Sequence, residues 1–318
     1  MIENFYIGGY SNSIKICEFE NGNLKIINTV SDIENPSYLN VNDDVLYSVS
    51  ETKTGSITSL KIIDNDLTKI NSVIINHSLP CFISTNSNRT KLLTANFGDG
   101  SICMYNLKNN GEIGEPLNCK FYDNSHMHFS EFSGDKIYGI DLGNDSIYVY
   151  NNSLDMLYSI NTPENSGPRH GVILDNFLLI VTELSNKILL YKFENENYKL
   201  IQEISTLSNS EITSYGGAIR ISSDHKYIYV TNRGENTISV FSFIDNNLKL
   251  IQSISCFGDF PRDIVFNETE EYMIVANQKS NNLTVFKRNL KNGSLTKFND
   301  TDIFVEKPSC IVRRKNEI

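Results

Sequence analysis

Apolar residues along this chain recur at every second position, in short runs bounded by Gly, Asn, Asp and Ser, and not at the spacing of a helix face. The runs read as strands. One of them repeats, a small or polar residue followed by Ile-x-Val-Tyr or its like: SIKICEF, SITSLKI, SICMYNL, SIYVYNN, KILLYKF, TISVFSF and NLTVFKR. Its first apolar residue falls at Ile14, Ile57, Ile102, Ile147, Ile188, Ile238 and Leu283, so successive copies lie 43, 45, 45, 41, 50 and 45 residues apart. Each copy follows a second β-rich run (FYIGGY, LYSVSE, LLTANF, IYGIDL, LIVTEL, IYVTNR, MIVANQ). After turn formers such as ENGN or IDNN it precedes a further strand like LKIIN or LKLIQ. A shorter strand, often opened by proline (PSYLNV, PCFIST, PRHGVI, PRDIVF, PSCIVR), leads the group. A four-stranded meander repeating at this period, without helical periodicity, predicts an all-β, seven-bladed β-propeller.

The termini predict closure. The chain begins at what would be the second strand of a blade, residues 4 to 10, and residues 308 to 314 match a first strand. Pairing the two would complete blade one and leave only short sheet edges. A single domain spanning residues 1–318 is expected.

Antiparallel neighbours reverse direction, so the end of each second strand and the start of each innermost strand lie at the same end of a blade, expected to be one mouth of the central channel. The second strands end at Glu51, Asn96, Asp141, Glu183, Asn232 with Arg233, and Asn277 with Gln278. The innermost strands open on Ser37, Cys81, His126 and His128, Arg169 and His170, Gly217, Arg262 and Ser309. His, Arg, Glu and Asp gather on blades four to six. Ordinary structural readings stand beside this. Asn96, Asp141, Asn232 and Asn277 are also turn formers, the imidazoles of SHMH also polar residues entering a strand, and Glu183 also a capped strand end. Arg262 has Asp263 as a neighbouring acid. His77 and His225 lie in polar segments between strands and are expected to be exposed.

Twenty-eight basic against 38 acidic side chains give a net charge of -10, which repels a phosphate backbone at long range and excludes nucleic acid, while leaving room for a local anion pocket. The start, MIENFYIGGY, does not read as a signal peptide, and the apolar stretches are strand-sized, so no membrane partner and a cytoplasmic location are expected. The six cysteines lack a Cys-x-x-Cys pair or a histidine at ligand spacing. Four of them sit inside apolar alternations and read as small buried hydrophobes in a reducing compartment, and no Cys-rich metal site is predicted.

The segments YIGGYS, NPSYL, TANFGDGSI, SHMH with DLGNDSIYVY, GPRH with TEL, AIRISSDHKYIYVTNRGENTISVF, and FPRDIVFN with IVANQKSNNLTVF, in this order, make the chain resemble the lactonase family of seven-bladed propellers. That family includes propeller-type 6-phosphogluconolactonases and a carboxymuconate-lactonizing enzyme. The resemblance implies a catalytic group of His128, Glu183, Arg169 and Arg233. To these the blade geometry adds His126, His170, Asp141, Asn232, Gln278 and Arg262 as substrate-binding candidates. Met127 stands where the family usually has proline, and SGDK lacks the proline usual after that strand.

The implied activity is hydrolysis of 6-phosphoglucono-1,5-lactone in the oxidative pentose phosphate route. The partner would be a phosphorylated sugar lactone, no cofactor is needed, and the chain is expected to be a monomer or weak dimer. No Gly-x-Ser-x-Gly elbow is present, so water attacks directly. Glu183, its pKa raised by desolvation, would be the base and His128 the acid, or the roles exchange, with Arg169 and Arg233 as the anion clamp. The alternative is a non-catalytic propeller that binds a protein or small ligand on the same face. The absence of Trp weakens a quinone-dependent reading.

Overall fold

The computed structural model of the chain describes residues 2–299 and 302–314. Its strands form seven antiparallel meanders, with sheets two to six built from consecutive strands. The fifth, for example, runs Pro168–Ile173, Phe177–Thr182, Lys187–Glu194 and Asn197–Ser205. In the seventh the outer strand is in two pieces, Leu295–Lys297 and Ile303–Phe304, both paired with Asn282–Arg288. The first sheet begins with the C-terminal strand Pro308–Arg313, followed by Glu3–Gly9, Ser13–Glu20 and Asn23–Ser31. This is the seven-bladed β-propeller that the repeat predicts. Beyond the C-terminal strand the Arg314 amide donates to Asn4 O (2.9 Å), and Arg313 pairs with Glu3 (3.8 Å).

Burial explains the two kinds of strand pattern. Every repeat anchor, from Ile14 through Ile57, Ile102, Ile147, Ile188 and Ile238 to Leu283, is fully buried. Second strands such as Val45–Ser50 are buried along their whole length, whereas outer strands such as Asn247–Ser255 alternate. A strand covered on both faces reads as a continuous apolar run, and one with a wet face reads with period two. The turn formers act as predicted: Asn21 with Gly22, Asn195 with Glu196 and Asp245 with Asn246 all adopt positive φ, the backbone of two-residue hairpins whose twist matches the strands they join.

The chain divides into two compact units. One comprises Glu20–Leu24 and Thr162–Ile311, and its core lies between adjacent blades, where Leu179, Val181, Ile188 and Leu190 meet Ile219, Ile228, Val230 and Phe241. The other comprises Ile2–Phe19, Lys25–Asn161 and the residues from Val312 onward, with Val45, Tyr47, Val49 and Ile57 packed on Ile83, Leu92, Cys103 and Tyr105. Among the described residues no helix is long and apolar enough to cross a membrane.

Two sequence expectations fail here. Cys103 and Cys119 are not separate buried hydrophobes but a disulfide, because the register of Ser101–Leu107 against Ile113–Phe121 sets them opposite each other, with Cα atoms 4.2 Å apart. His77, expected to be exposed, is half-buried beside them, whereas His225 is exposed as expected.

Candidate active site

The innermost strands share one irregularity. Their register against the second strand slips between Pro80 and Phe82, Met127 and Phe129, Pro168 and His170, Gly216 and Ile219, and Pro261 and Asp263. The residue left over is Cys81, His128, Arg169 or Arg262, and in blade six it falls within Gly217 and Ala218. A one-residue bulge takes a side chain out of the strand's alternation and aims it anew. Of the residues singled out by sequence at the strand starts, Cys81, His128, Arg169, Gly217 and Arg262 therefore lie in bulges, whereas His170 is in register with Val181.

In the unit that holds blades five to seven, three of these elements converge. Glu183 follows the strand Phe177–Thr182, and its backbone is held on both sides: its amide donates to Gly167 O (2.6 Å) and its carbonyl accepts from Gly216 N (3.0 Å). Its Oε2 forms ion pairs with Arg169 Nε at 3.1 Å and Arg233 Nη2 at 2.6 Å. Arg169 Nη1 also donates to Gly217 O (2.9 Å), and Arg233 Nη2 to Gly216 O (2.7 Å). Glycine is required at both carbonyls. A Cβ on Gly216 would lie 2.2 Å from Thr182 O, and one on Gly217 would lie 2.2 Å from Thr231 Oγ1. His170 Nε2 lies 3.3 Å from Arg169 Nη1, a nitrogen that can only donate.

Both arginines are buried, and Arg233 lies over the Phe260 ring at 5.2 Å. Burial works against the Glu183 carboxylate. The charges of Arg233, Arg169 and Arg262 and the Arg233 hydrogen bond outweigh it, so the pKa falls below the ordinary glutamate value. This corrects the expectation of a raised pKa: Glu183 is a firmly ionised group and a weak base. Burial, then repulsion from Arg169, lowers the Arg233 pKa to about 9, which leaves the guanidinium charged at neutral pH. Three arginines thus act on one carboxylate, a local excess of positive charge in an acidic protein.

Arg262 and Gln278 belong to the same group. Arg262, half-buried, donates to Gln278 Oε1 (3.3 Å), while the neighbouring Asp263 is taken by Arg220 (2.7 Å). Asn232 does not belong. Its Nδ2 donates to Thr206 O, Thr237 Oγ1 and Ser239 Oγ, which ties a strand end to its turn, so the substrate-binding role expected for it is withdrawn.

The other unit holds the remaining candidates. Asp141 is fully buried, and its Oδ1 accepts from the amides of His126 (2.8 Å), Gly143 (3.0 Å) and Asn144 (3.2 Å). It is the turn former, and the substrate-binding expectation is corrected for it too. The exposed His126 ring stacks on Phe97 (4.5 Å) with Nδ1 at 2.9 Å from Phe97 O, and the buried His128 meets the same ring edge-on at 5.9 Å.

A family model described as "Lactonase, 7-bladed beta-propeller" matches residues 4–313. The chain belongs to this lactonase family. It is similar to a protein of Formosa agariphila named 6-phosphogluconolactonase, 30% identical over 311 residues that cover 87% of this chain and 88% of the relative. A Bacillus subtilis protein of the same name is 28% identical over 303 residues, covering 87% of this chain and 86% of the relative. Among solved structures, a protein from Lactobacillus plantarum superposes with a TM-score of 0.93 at 27% identity, over 98% of this chain and 99% of that one. Membership and these names support a lactonase.

Phe97, Phe260 and Gly216 were missed in the sequence, although ANFGDG, GDFPR and YGGA each place one beside a predicted strand start or end. Elsewhere in the described residues, His77, Cys103 and Cys119 bring one side-chain ligand atom each within 4.8 Å, but the two sulfurs are joined to each other and are not offered as thiolates.

Proposed function

We propose that the chain is a 6-phosphogluconolactonase, hydrolysing 6-phosphoglucono-1,5-lactone to 6-phosphogluconate in the oxidative pentose phosphate route, in the cytoplasm. The observation that carries the reading is the set of three arginines around one ionised carboxylate, which offers a binding surface to an anionic substrate. The name shared by two relatives supports the choice of lactone.

In this mechanism water attacks the lactone carbonyl carbon and negative charge develops on the carbonyl oxygen. Arg169 and Arg233 stabilise it, because their guanidinium groups are already oriented by Glu183 and by the carbonyls of Gly216 and Gly217, so little reorganisation is needed as the charge forms. Arg262, half-buried, takes the phosphate, with Gln278 as its neighbour. Collapse of the intermediate breaks the bond to the ring oxygen, which leaves as a hydroxyl once protonated. Glu183 is too weak a base to take the proton from water; the resemblance to the family implies His128 for that step and for returning the proton to the ring oxygen.

The test is a coupled assay with freshly generated 6-phosphogluconolactone, corrected for spontaneous hydrolysis and run beside unphosphorylated glucono-1,5-lactone. The proposal expects catalysed hydrolysis with a clear preference for the phosphorylated lactone. Equal rates on both would remove the phosphate assignment. Activity on neither would leave the non-catalytic propeller. The pH profile of Glu183→Gln should retain a limb near the histidine pKa, and its disappearance would restore Glu183 as base.

A further inference from the structure

The third blade holds a group that the lactonase reading does not use. Cys103, fully buried on the strand Ser101–Leu107, and Cys119, half-buried on the outer strand Ile113–Phe121, are joined across the sheet. His77 Nε2 lies 3.2 Å from Cys103 Sγ and 3.7 Å from Cys119 Sγ. Its other nitrogen, Nδ1, lies 2.8 Å from Asp99 Oδ2. Asp99 is itself fixed: the amide of Ser78 donates to Oδ2 (3.2 Å), and the Ser101 hydroxyl donates to Oδ1 (2.7 Å). The Phe121 ring, largely exposed, covers the imidazole at 5.5 Å. A carboxylate that orients an imidazole toward sulfur is the arrangement that moves protons on and off a thiol.

We propose that Cys103 and Cys119 form a reversible thiol–disulfide couple served by His77 and Asp99, exchanging with low-molecular-weight thiols. Access assigns the two sulfurs different roles. A thiolate RS⁻ attacks the half-buried Cys119 sulfur; the bond between the two cysteines breaks, an RS–S bond to Cys119 forms, and Cys103 leaves as thiolate. The proton lost when RSH ionises to RS⁻ is held on His77 Nε2, 3.2 Å from Cys103 Sγ, where the imidazolium, steadied by Asp99 at Nδ1, stabilises the departing thiolate. A second RS⁻ attacks the mixed disulfide at the RS sulfur, releasing RSSR and the Cys119 thiolate. Two thiols are thus oxidised to one disulfide while the protein pair is reduced, and the reverse sequence, starting from Cys119 and RSSR, restores the bond.

The remaining cysteines sharpen the test. Cys17, Cys81, Cys256 and Cys310 are buried thiols, and burial pushes Cys17 and Cys256 up to about 12, so they stay inert in the folded chain. The full chain is equilibrated with mixtures of reduced and oxidised glutathione, quenched, labelled with N-ethylmaleimide and weighed intact. The expected result is paired labelling of Cys103 and Cys119 alone, rising together as the mixture becomes reducing.

His77→Gln should slow reduction by at least about tenfold, and Asp99→Asn by a smaller factor, with thermal melting confirming that each variant is folded. Persistent labelling of both cysteines in the oxidising mixture would overturn the proposal whatever the variants do. So would exchange at the parental rate in both folded variants. If instead the reduced protein takes up stoichiometric Zn²⁺ that blocks oxidation, and Cys103→Ser abolishes the uptake, the group is a metal site and the couple is refuted.

Discussion

Two buried arginine–carboxylate groups lie in the same compact unit and follow opposite designs. Around Arg288 the charge is balanced: one guanidinium meets one carboxylate, Glu270 (3.1 Å), donates Nε to Tyr229 Oη (2.6 Å), and lies over the rings of Tyr227, Tyr229 and Phe266 at 5.5 to 5.7 Å. Around Glu183 the charge is unbalanced: two guanidinium groups share one carboxylate oxygen, Arg262 adds a third positive charge, and each of the first two also donates to one backbone carbonyl. Burying a charge is costly unless it is matched, so a balanced pair among aromatic rings is structural. An overloaded one keeps unsatisfied attraction for an anion that is not part of the protein.

The comparison predicts which property each change destroys. Glu183→Gln should have the largest effect, because it leaves two buried guanidinium groups without their counter-charge and disorders both. The expectation is a loss of two to four orders of magnitude in kcat/KM, about 3 to 5 kcal/mol of barrier, with about 3 kcal/mol of stability lost in urea melts. A variant with parental kcat/KM would show that the carboxylate does not organise the arginines. Arg288→Met comes next: about 3 kcal/mol of stability should be lost, since Glu270 is stranded and the three rings lose their cation, while kcat/KM per folded molecule stays unchanged. A large fall in kcat/KM there would erase the distinction between the two groups.

Arg169→Lys and Arg233→Lys keep the charge and remove the planar guanidinium, with which Arg169 reaches Glu183 by Nε and Gly217 O by Nη1, and Arg233 reaches Glu183 and Gly216 O by Nη2. Each should cost about 2 to 3 kcal/mol in transition-state binding, read as a fall in kcat/KM on the order of 30- to 150-fold with little change in melting. Parental kcat/KM in both would dismiss the anion clamp. Arg262→Ala should be milder, raising KM more than it lowers kcat by a factor worth about 1.5 to 2 kcal/mol, and weakening the protection that 6-phosphogluconate gives against heat. If KM is unmoved, the phosphate lies elsewhere.

These distinctions mark how far the sequence reached. The seven anchors were legible because burial on both faces of a blade imposes a period that a single chain displays, and Ile14 to Leu283 all proved fully buried. Arg169 and Arg262 were legible as strand openers after proline, but not as bulged residues, since a bulge is a relation between two strands. Asp141 and Asn232 were misread because the same side chains serve turns and ligands, and only their partners, His126 N in one case and Thr206 O in the other, separate the two uses. The sign of the Glu183 shift depended on which of burial and two distant arginines prevails. The link between His77 and Cys119 spans 42 residues and the three strands between them, beyond any local motif.

The smallest effect is the pH dependence of the unbalanced group, and its sign is fixed by the arginines. The folded pKa of Glu183 lies below its ordinary value of 4.5, so the folded state binds fewer protons than the unfolded chain through that window. The carboxylate therefore contributes stability that is complete above pH 4.5 and is lost as pH falls through the folded pKa. The size is about 1.4 kcal/mol for each unit by which the pKa is lowered, reduced by solvent at a side chain that is partly accessible. Glu183→Gln cannot titrate, so in urea melts the stability gap between parent and variant should be widest near neutrality and narrow on acidification below about pH 4.5. Burial acting alone would have raised the pKa, and the parent would then gain stability relative to the variant as pH falls from neutrality toward 4.5. A parent that gains stability relative to Glu183→Gln as pH falls from about 7 to 5 would show that desolvation prevails over Arg169 and Arg233, and would return Glu183 to the role of base.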